Sequence, residues 1–448
     1  MKRILIKEAT LVNEQQIRVA DVLIEDQRIA RIDSRLAPGG NYTEINASGL
    51  HLLPGVIDDQ VHFREPGMTH KATIYSESKA GIAGGVTTFM EQPNTFPPAV
   101  TQELLELKYN TGRDTSLANY SFFLGTTNNN LEEIKRADPE RICGIKIFMG
   151  SSTGDLAITN EQSLEDLFRF APTLIATHCE TDSIIKANAA VFRKEYGDQI
   201  PIRFHPEIRS VENCVVSTRK AISLAQKHQS RLHVFHISTA EEVDLFSNQL
   251  PSAKKSITAE ACVHHLWFSA DDYERLGSLI KCNPAIKAPH HRDRILQGVI
   301  NGHIDVLATD HAPHTWEEKQ QTDYFKNPSG LPLLQYSLPM MVELYHQGKI
   351  SLEMVVQKMC HSVADCFRIR DRGYIREGYY ADLVLMNLND PMVVDKAGVL
   401  YKCGWSPLEG TSLQSRVTHT FVNGNLVYCQ GQFDESTNGM RLSFHPLH

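Results

Sequence analysis

Residues 55–61 run Gly-Val-Ile-Asp-Asp-Gln-Val and lead directly into His62-Phe63-Arg64. This run is the first of eight β-rich apolar segments, each followed by a stretch long enough for a helix. The segments span residues 55–61, 86–91, 119–124, 142–149, 173–178, 232–236, 256–262 and 304–309. Near-continuous apolar runs are typical of strands buried on both faces of a parallel sheet. Eight β-then-α units over ~300 residues predict an α/β fold, a (β/α)8 barrel with functional groups at the carboxyl ends of its strands.

Both ends of the chain are rich in short strands instead. Residues 4–45 alternate between apolar and charged residues, and residues 418–428 contain an Asn-Gly pair that is typical of a hairpin turn. Chain termini often lie close together. The sequence therefore predicts a small β-sandwich domain built from residues 1–51 and 375–448, beside a barrel domain over residues 52–374.

Composition narrows the class of partner. The 448 residues include 45 Lys and Arg against 53 Asp and Glu, a net charge of −8 without a basic block, so no nucleic-acid surface is expected. The N-terminus lacks the apolar core of a signal peptide, and no run of ~18 apolar residues could span a membrane. Nine scattered cysteines without a C-x-x-C pair favour reduced thiols. We expect a cytoplasmic protein without structural disulfides that acts on a small molecule.

Residue types that bind metals recur where the predicted strands end. His62 follows the first segment, His178 and His236 end the fifth and sixth, and Asp310 follows the eighth. One such histidine alone is more often a structural residue. Four strand ends that deliver imidazole and carboxylate groups to one barrel mouth, however, predict a site for zinc or a similar divalent ion.

Eight short motifs carry a resemblance to a known family. They are Pro-Gly-Val-Ile-Asp at 54–58, His-Phe-Arg-Glu-Pro-Gly at 62–67, Gly-Gly-Val-Thr-Thr at 84–88, Pro-Asn-Thr at 93–95, Lys-Cys-Asn-Pro at 281–284, Asp-His-Ala-Pro-His at 310–314, Pro-Ser-Gly at 328–330 and Glu-Gly-Tyr-Tyr-Ala-Asp-Leu-Val at 377–384. With these motifs the chain resembles the amidohydrolase superfamily and, within it, the dihydroorotases of pyrimidine biosynthesis. The resemblance implies a centre of one or two zinc ions with the ligands His62, Lys146, His178, His236 and Asp310.

Lys146 is the unusual ligand of this set. An ammonium group cannot ligate a cation, but a neutral amine can add carbon dioxide, and the resulting carbamate is an anionic oxygen ligand able to bridge two ions. The simpler interpretation is a lysine that extends to solvent. Its neighbours Ile145, Ile147 and Phe148 disfavour that interpretation, because an unpaired charge in a buried strand is costly. We therefore expect a carbamylated Lys146.

Two positions depart from the family pattern. The family has His-x-His after the first strand, whereas this chain has Gln60-Val61-His62. A glutamine oxygen is a poorer zinc ligand than imidazole. The sequence leaves open whether the centre holds one ion or two, and whether Asp58 or a water molecule takes the missing position. Gln92 stands where methionine is common, which we interpret as tolerated variation.

The resemblance also implies a reaction, the reversible hydrolysis of dihydroorotate to N-carbamoyl-aspartate. Asp310 would move a proton from water to the departing ring nitrogen. Arg64 would bind the substrate carboxylate through two parallel hydrogen bonds, although a surface ion pair with Glu65 is the simpler interpretation. The other residues at family substrate positions are Asn94, Asn283, His314, Ser329 and Gly330.

Alternatives of two kinds remain open. Another cyclic amidase, such as a hydantoinase or an allantoinase, would share the barrel and the metal centre but would not need Arg64. A non-catalytic homologue of dihydroorotase would instead serve as an assembly partner of aspartate transcarbamoylase, and only Gln60 favours this hypothesis. In either enzyme interpretation we expect a homodimer with no nucleic-acid or membrane partner.

Overall fold

The computed structural model describes residues 2–150 and 156–446. The chain begins with five strands, several of which contain a run of consecutive buried residues. These strands are β1 (Arg3–Asn13), β2 (Gln16–Glu25), β3 (Arg28–Asp33), β4 (Thr43–Asn46) and β5 (His51–Pro54). In β1, Ile4 and Ile6 contribute to one apolar cluster and Leu5 to another on the opposite face, as the two-residue period of a strand requires.

A barrel of parallel strands follows. Its strands are β6 (Val56–Val61), β7 (Val86–Glu91), β8 (Asn119–Phe122), β9 (Leu124–Gly125), β10 (Ile145–Phe148), β11 (Ile175–His178), β12 (Leu232–Val234), β13 (Ile257–Cys262) and β14 (Val306–Ala308). Strands β6 to β8 pair in order, as do β9 to β14. A parallel bridge between Val61 and His311 joins the two arcs. Each of the eight predicted segments contains a strand, so the barrel is confirmed.

The third barrel strand is interrupted. Phe123 separates β8 from β9, and its N–H group donates to the Glu91 carbonyl of the neighbouring strand at 3.0 Å. Leu124 then turns to the other neighbour, donating from its N–H to the Gly144 carbonyl at 3.1 Å. The predicted segment 119–124 is therefore two short strands joined at one residue, because the chain changes pairing partner there.

The C-terminal strands return to the N-terminal ones. They are β15 (Leu383–Asn387), β16 (Met392–Val393), β17 (Ser412–Leu413), β18 (Arg416–Val422), β19 (Asn425–Cys429) and β20 (Gln432–Phe433). Strand β15 pairs antiparallel with β5, from Leu383 opposite Pro54 to Met386 opposite His51. This pairing completes a nine-stranded sheet in the order β20-β19-β18-β15-β5-β1-β2-β3, with β4 on β1. The predicted β-sandwich from both termini is thus confirmed.

The hairpin between β18 and β19 has the predicted Asn-Gly turn. Asn423 and Gly424 have φ angles of 50° and 73°, and a two-residue hairpin turn with both φ values positive is of type I′. A Cβ atom on Gly424 would lie 2.0 Å from the Asp26 carbonyl oxygen, so this position excludes larger residues. Next to it, the N–H group of Asn423 donates to Asp382, which also pairs with Arg372. Asp382 accepts a second hydrogen bond from Asn119 on barrel strand β8, so it links the sandwich to the barrel.

Helices cover the outside of the barrel. Their bounds are α1 (Ile74–Ala83), α2 (Gln102–Thr115), α3 (Leu131–Lys135), α4 (Glu161–Phe170), α5 (Asp182–Tyr196), α6 (His205–Ile208), α7 (Val211–His228), α8 (Ala240–Val243), α9 (Val263–Trp267), α10 (Tyr273–Leu276), α11 (Pro289–Ile300), α12 (Trp316–Lys319), α13 (Ser337–His346), α14 (Leu352–Val356) and α15 (Ser362–Phe367). Side-chain caps such as Thr73 before α1 and Ser210 before α7 start several of them. None of these helices is both long and apolar enough to cross a membrane. All nine cysteines are free thiols.

Candidate metal-binding active site

A cavity of about 400 Å³ opens at the carboxyl ends of the barrel strands. It is lined by every residue that the sequence analysis placed in the site, namely His62, Arg64, Asn94, Lys146, His178, His236, Asn283, Asp310, His314, Ser329 and Gly330. These residues come from eight separate parts of the chain. The barrel topology therefore brings together the two predicted groups, the metal ligands and the substrate contacts.

Three of these residues have left-handed backbone conformations. The φ angle is 66° at Arg64, 41° at His236 and 46° at Asp310. Such angles cost about 1–3 kcal/mol in a residue that is not glycine, and they concentrate at functional sites. At His236 the surrounding structure holds the angle, because the His236 N–H donates to the buried Glu260 carboxylate at 3.1 Å.

His62 lies between an amide and a carboxylate. Its Nδ1 donates to Asn94 Oδ1 at 2.8 Å, and its Nε2 faces Asp310 Oδ1 at 3.0 Å. Asn94, predicted as a substrate contact, therefore also orients the imidazole. An outer partner on one ring nitrogen is the usual arrangement of a metal-binding histidine, because it directs the other nitrogen into the site.

His178 and His236 form the second pair. His178 Nδ1 lies 2.9 Å from His236 Nε2, and His178 Nε2 lies 2.9 Å from Glu180 Oε2. Glu180 is fully buried and also contacts Arg209 and Asn213, the latter at 2.8 Å. Burial opposes the charge of Glu180, but Arg209 and His178 outweigh it and hold the pKa of this carboxyl well below its usual range.

The protonation states suit metal ligation. Burial lowers the pKa of His62 and, more strongly, that of His236, so both imidazoles are neutral at pH 7. Burial alone would raise the pKa of Asp310, but the hydrogen bond and charge of His62 lower it overall. A neutral imidazole and an ionised carboxylate are the forms in which these side chains bind a divalent ion.

Lys146 is buried at the base of the cavity, with 1% of its surface exposed. Its Nζ atom lies 4.1 Å from the Phe235 ring centroid and 4.8 Å from that of Phe148. Burial lowers the pKa of this amine to about 7. The structure therefore excludes the solvent-exposed interpretation of Lys146 and leaves a substantial neutral fraction at physiological pH.

The five side chains fit a metal centre by the chemistry of their donor atoms. Three imidazoles, one carboxylate and one amine of lowered pKa converge on one cavity, and the ring nitrogens of His62 and His178 that face away from it have partners of their own. These nitrogen and oxygen donors suit zinc and similar ions.

Gln60 lines the cavity, but Asp58 does not complete the site. The Asp58 carboxylate accepts hydrogen bonds from the backbone N–H groups of Gln60 at 3.1 Å and Thr309 at 3.3 Å, behind the cavity wall. Burial raises its pKa to about 8. The expectation that Asp58 takes the position of the missing histidine is therefore not supported, because Asp58 does not line the cavity and its Oδ1 already accepts from the backbone.

Arg64 and His314 form the other side of the cavity. Arg64 is 4% exposed and donates from Nε to the Pro313 carbonyl at 3.1 Å, while its Nη2 lies 3.1 Å from His314 Nε2. Glu65 instead accepts a hydrogen bond from the Ile74 N–H at 2.8 Å. The interpretation of Arg64 as a surface ion pair with Glu65 is thus wrong, since the two side chains have different partners.

A loop over residues 327–330 closes this side, and two buried lysines hold it. Lys319 Nζ donates to the carbonyls of Pro328 and Gly330 at 2.9 and 3.0 Å, and Lys281 Nζ donates to the Asn327 carbonyl at 2.6 Å. The sequence analysis missed Lys319, because a lysine at the end of a short helix has no signal that distinguishes it from a surface residue.

Other functional positions were also missed. Glu180 stands two residues after His178, and this spacing at a strand end is a signal that could have identified it. Arg209 lies between α6 and α7, where no pattern marks it. Among the other lining residues that were missed, five make a largely apolar wall, and they are Ile185, Ala189, Ile208, Tyr324 and Phe325.

Comparison with known proteins assigns the family. The model of the amidohydrolase family matches residues 51–427. The chain belongs to the amidohydrolase family. The allantoinase of Deinococcus radiodurans is 30% identical over 446 residues, 98% of each chain. The dihydroorotase of Halobacterium salinarum is 31% identical over 393 residues, 88% of this chain and 90% of its own. In structure, the L-hydantoinase (dihydropyrimidinase) from Arthrobacter aurescens superposes with a TM-score of 0.92 at 26% identity, over 99% of this chain and 100% of that one.

Membership of this family confirms two predictions. The chain is an amidohydrolase with a metal-binding barrel and a β-sandwich domain, and it is an enzyme that hydrolyses amide C–N bonds. The similar proteins carry the names of three different activities, so the family assignment by itself does not select the substrate.

Proposed function

We propose that this chain is a dihydroorotase, which catalyses the reversible, metal-dependent hydrolysis of the cyclic amide of (S)-dihydroorotate to N-carbamoyl-L-aspartate in de novo pyrimidine biosynthesis. The observation that carries the proposal is Arg64, a buried guanidinium that lines the cavity across from the candidate metal ligands. A buried arginine beside an amide-hydrolysing centre suits a substrate with a carboxylate next to its ring. Dihydroorotate has that carboxylate, whereas allantoin and unsubstituted hydantoins do not.

Asp310 is the proposed catalytic acid–base. It lies at the barrel mouth 3.0 Å from His62 and is ionised at neutral pH. It takes a proton from the attacking water as the new C–O bond forms, and it returns that proton to the ring nitrogen as the C–N bond breaks. The second proton of the water leaves to solvent, so the opened product carries a new carboxylate and a neutral ureido nitrogen. Zinc ions held by the ligand set would activate the water and polarise the carbonyl.

Lys146 is the proposed bridging ligand in its carbamylated form. Carbon dioxide adds to the neutral amine, an N–C bond forms, and one proton leaves to solvent. Burial favours the reactive free amine, and the resulting anion would also remove the cost of an unpaired ammonium in the barrel interior. The side chains of Phe235 and Phe148 beside Nζ shield the carbamate from water.

The remaining cavity residues are proposed to bind the ring and the carboxylate. Arg64 keeps its Nη1 group available for a carboxylate, and His314 is held beside it by the Ser329 carbonyl at 3.1 Å. Asn283 lines the same cavity, where its side-chain amide is proposed to hydrogen-bond the ring. Gly330 contributes backbone to the same wall.

One observation favours a second candidate, a hydantoinase-type cyclic amidase. The apolar wall of Ile185, Ala189, Ile208 and Phe325 would accept an apolar ring substituent, which dihydroorotate lacks. The structural similarity to an L-hydantoinase points the same way. Arg64 opposes this candidate, because a buried charge without an anionic partner on the substrate would be costly.

The test is a substrate panel with zinc-loaded protein. Turnover is measured with dihydroorotate, with N-carbamoyl-aspartate in the reverse direction, with allantoin and with an aryl-substituted hydantoin. The expected result is turnover of the first two and little of the others, and a 10²–10⁴-fold loss of kcat in Asp310→Asn. Preference for the hydantoin would establish the second candidate instead. If folded, metal-loaded protein turns over none of the four, the dihydroorotase proposal fails and the substrate is a different cyclic amide.

A further inference from the structure

Three side chains of types that bind metals lie together behind the cavity. None of them belongs to the ligand set that the family resemblance implies. They are Cys262 at the end of β13 and His264 and His265 in the first turn of α9. One ligand atom from each lies within 4.8 Å of the others. We propose that Cys262, His264 and His265 form a second, structural metal site for zinc or a similar thiophilic ion.

Unpartnered ring nitrogens point to a missing ligand. His264 is completely buried, and neither of its ring nitrogens has a well-formed hydrogen bond among the described residues, although the backbone of Thr309 lies beside the ring. His265 is 3% exposed, and its Nδ1 is likewise without a partner. A buried polar atom without a partner destabilises the fold, and a bound cation would satisfy one nitrogen of each imidazole.

The second ring nitrogen of His265 is already oriented. His265 Nε2 lies 3.2 Å from the Pro284 carbonyl, to which it donates, so Nδ1 carries the free lone pair. A backbone carbonyl on the far nitrogen is the arrangement that fixes the tautomer of a zinc-binding histidine. The protein therefore presents the nitrogen atom that a metal requires.

The distances allow a tetrahedral ion. Zinc bonds of about 2.0–2.3 Å place tetrahedral ligands roughly 3.3–3.8 Å apart. The three ligand atoms lie within 4.8 Å, so shifts of about an ångström or less would close the site. A fourth ligand is at hand, because Gln60 Oε1 lies 3.7 Å from Cys262 Sγ. Gln60 would then be a ligand of this second site, although it stands where the family has a histidine ligand of the catalytic centre.

The donor atoms also suit a thiophilic cation. Glu260 Oε1 lies 3.3 Å from Cys262 Sγ and accepts a hydrogen bond from the thiol. Cysteine sulfur and imidazole nitrogen are ligands that structural zinc sites use, whereas the proposed catalytic centre offers nitrogen and oxygen ligands alone. A sulfur ligand therefore distinguishes the two sites spectroscopically.

The test uses the full chain loaded with Co²⁺ in place of zinc. Wild-type protein should show a near-ultraviolet sulfur-to-cobalt charge-transfer band, and Cys262→Ser should lose this band together with one cobalt ion per chain. Cys179→Ser is the matched control, because Cys179 is equally buried and adjoins His178 at the other site. This variant should keep both the band and the cobalt content.

Two outcomes would overturn the proposal. One is a folded, cobalt-loaded wild type without the charge-transfer band, which would mean that water fills the polar space. The other is loss of the band in Cys179→Ser but not in Cys262→Ser. Should Cys262→Ser fail to fold, His264→Gln must still lower the cobalt content by one ion. The inference does not rest on the proposed function, because neither readout depends on the substrate.

Discussion

Replacing Arg64 with methionine tests the proposed substrate most directly. Methionine keeps much of the volume of the side chain but removes the guanidinium that would pair with the substrate carboxylate. Each hydrogen bond between charged groups contributes about 1.5–3 kcal/mol, so two parallel bonds amount to roughly 3–6 kcal/mol. With about 1.4 kcal/mol for each factor of ten, kcat/KM for dihydroorotate should fall by roughly 10²–10⁴-fold.

The fold should tolerate this change. Arg64 loses a hydrogen bond to the Pro313 carbonyl and a contact with His314, but the protein no longer buries the charge. Burial lowers the pKa of Arg64 to about 10, which shows that the buried site disfavours the cation. We therefore expect the free energy of unfolding to change by less than about 1.5 kcal/mol, as measured by urea denaturation.

The assay compares dihydroorotate with dihydrouracil, which is the same ring without the carboxylate. Wild-type enzyme should strongly prefer dihydroorotate, and Arg64→Met should lose that preference while its slow turnover of dihydrouracil stays unchanged. Arg203→Met, at an exposed position outside the cavity, controls for the loss of a positive charge. An unaltered preference in Arg64→Met would refute the reasoning, because the carboxylate would then bind elsewhere.

Three further changes test the supporting structure. Glu180→Gln should weaken metal binding by about 10–100-fold in a chelator competition, because His178 loses its carboxylate partner. The pKa of Glu180 is depressed in the folded protein, so the stability that this carboxylate adds is present above its ordinary pKa of 4.5 and is lost at lower pH. The free energies of unfolding of Glu180→Gln and wild type should therefore converge as the pH falls. A constant difference between them across this pH range would contradict the role of Glu180. Lys319→Met should raise KM for dihydroorotate at least about 10-fold by freeing the carbonyls of residues 328 and 330, and an unchanged KM would show that the loop holds itself. Gln60→His should tighten binding of the more weakly held ion in the cavity, measured by metal titration, and no change would mean that another group completes that position.

The barrel and its site were largely predictable from the sequence. A strand buried on both faces needs a near-continuous apolar run, so the eight segments are visible without a structure. Because the carboxyl ends of parallel barrel strands meet at one mouth, His62, His178, His236 and Asp310 had to converge once the topology was known. The Asn-Gly turn and the β-rich termini follow from equally local signals.

Tertiary contacts alone decided the other features. The break at Phe123, the lysine contacts of the 327–330 loop and the pairing of Glu180 with Arg209 each depend on residues far apart in the chain. The surroundings of Gln60 were equally invisible in the sequence. The sequence shows only that Gln60 stands where the family has a histidine ligand, whereas the structure places it beside Cys262. Secondary structure follows from the periodicity of neighbouring residues. The hydrogen-bond and charge partners of a buried polar group depend instead on which distant segments the fold brings within about 3 Å, and no local pattern encodes that.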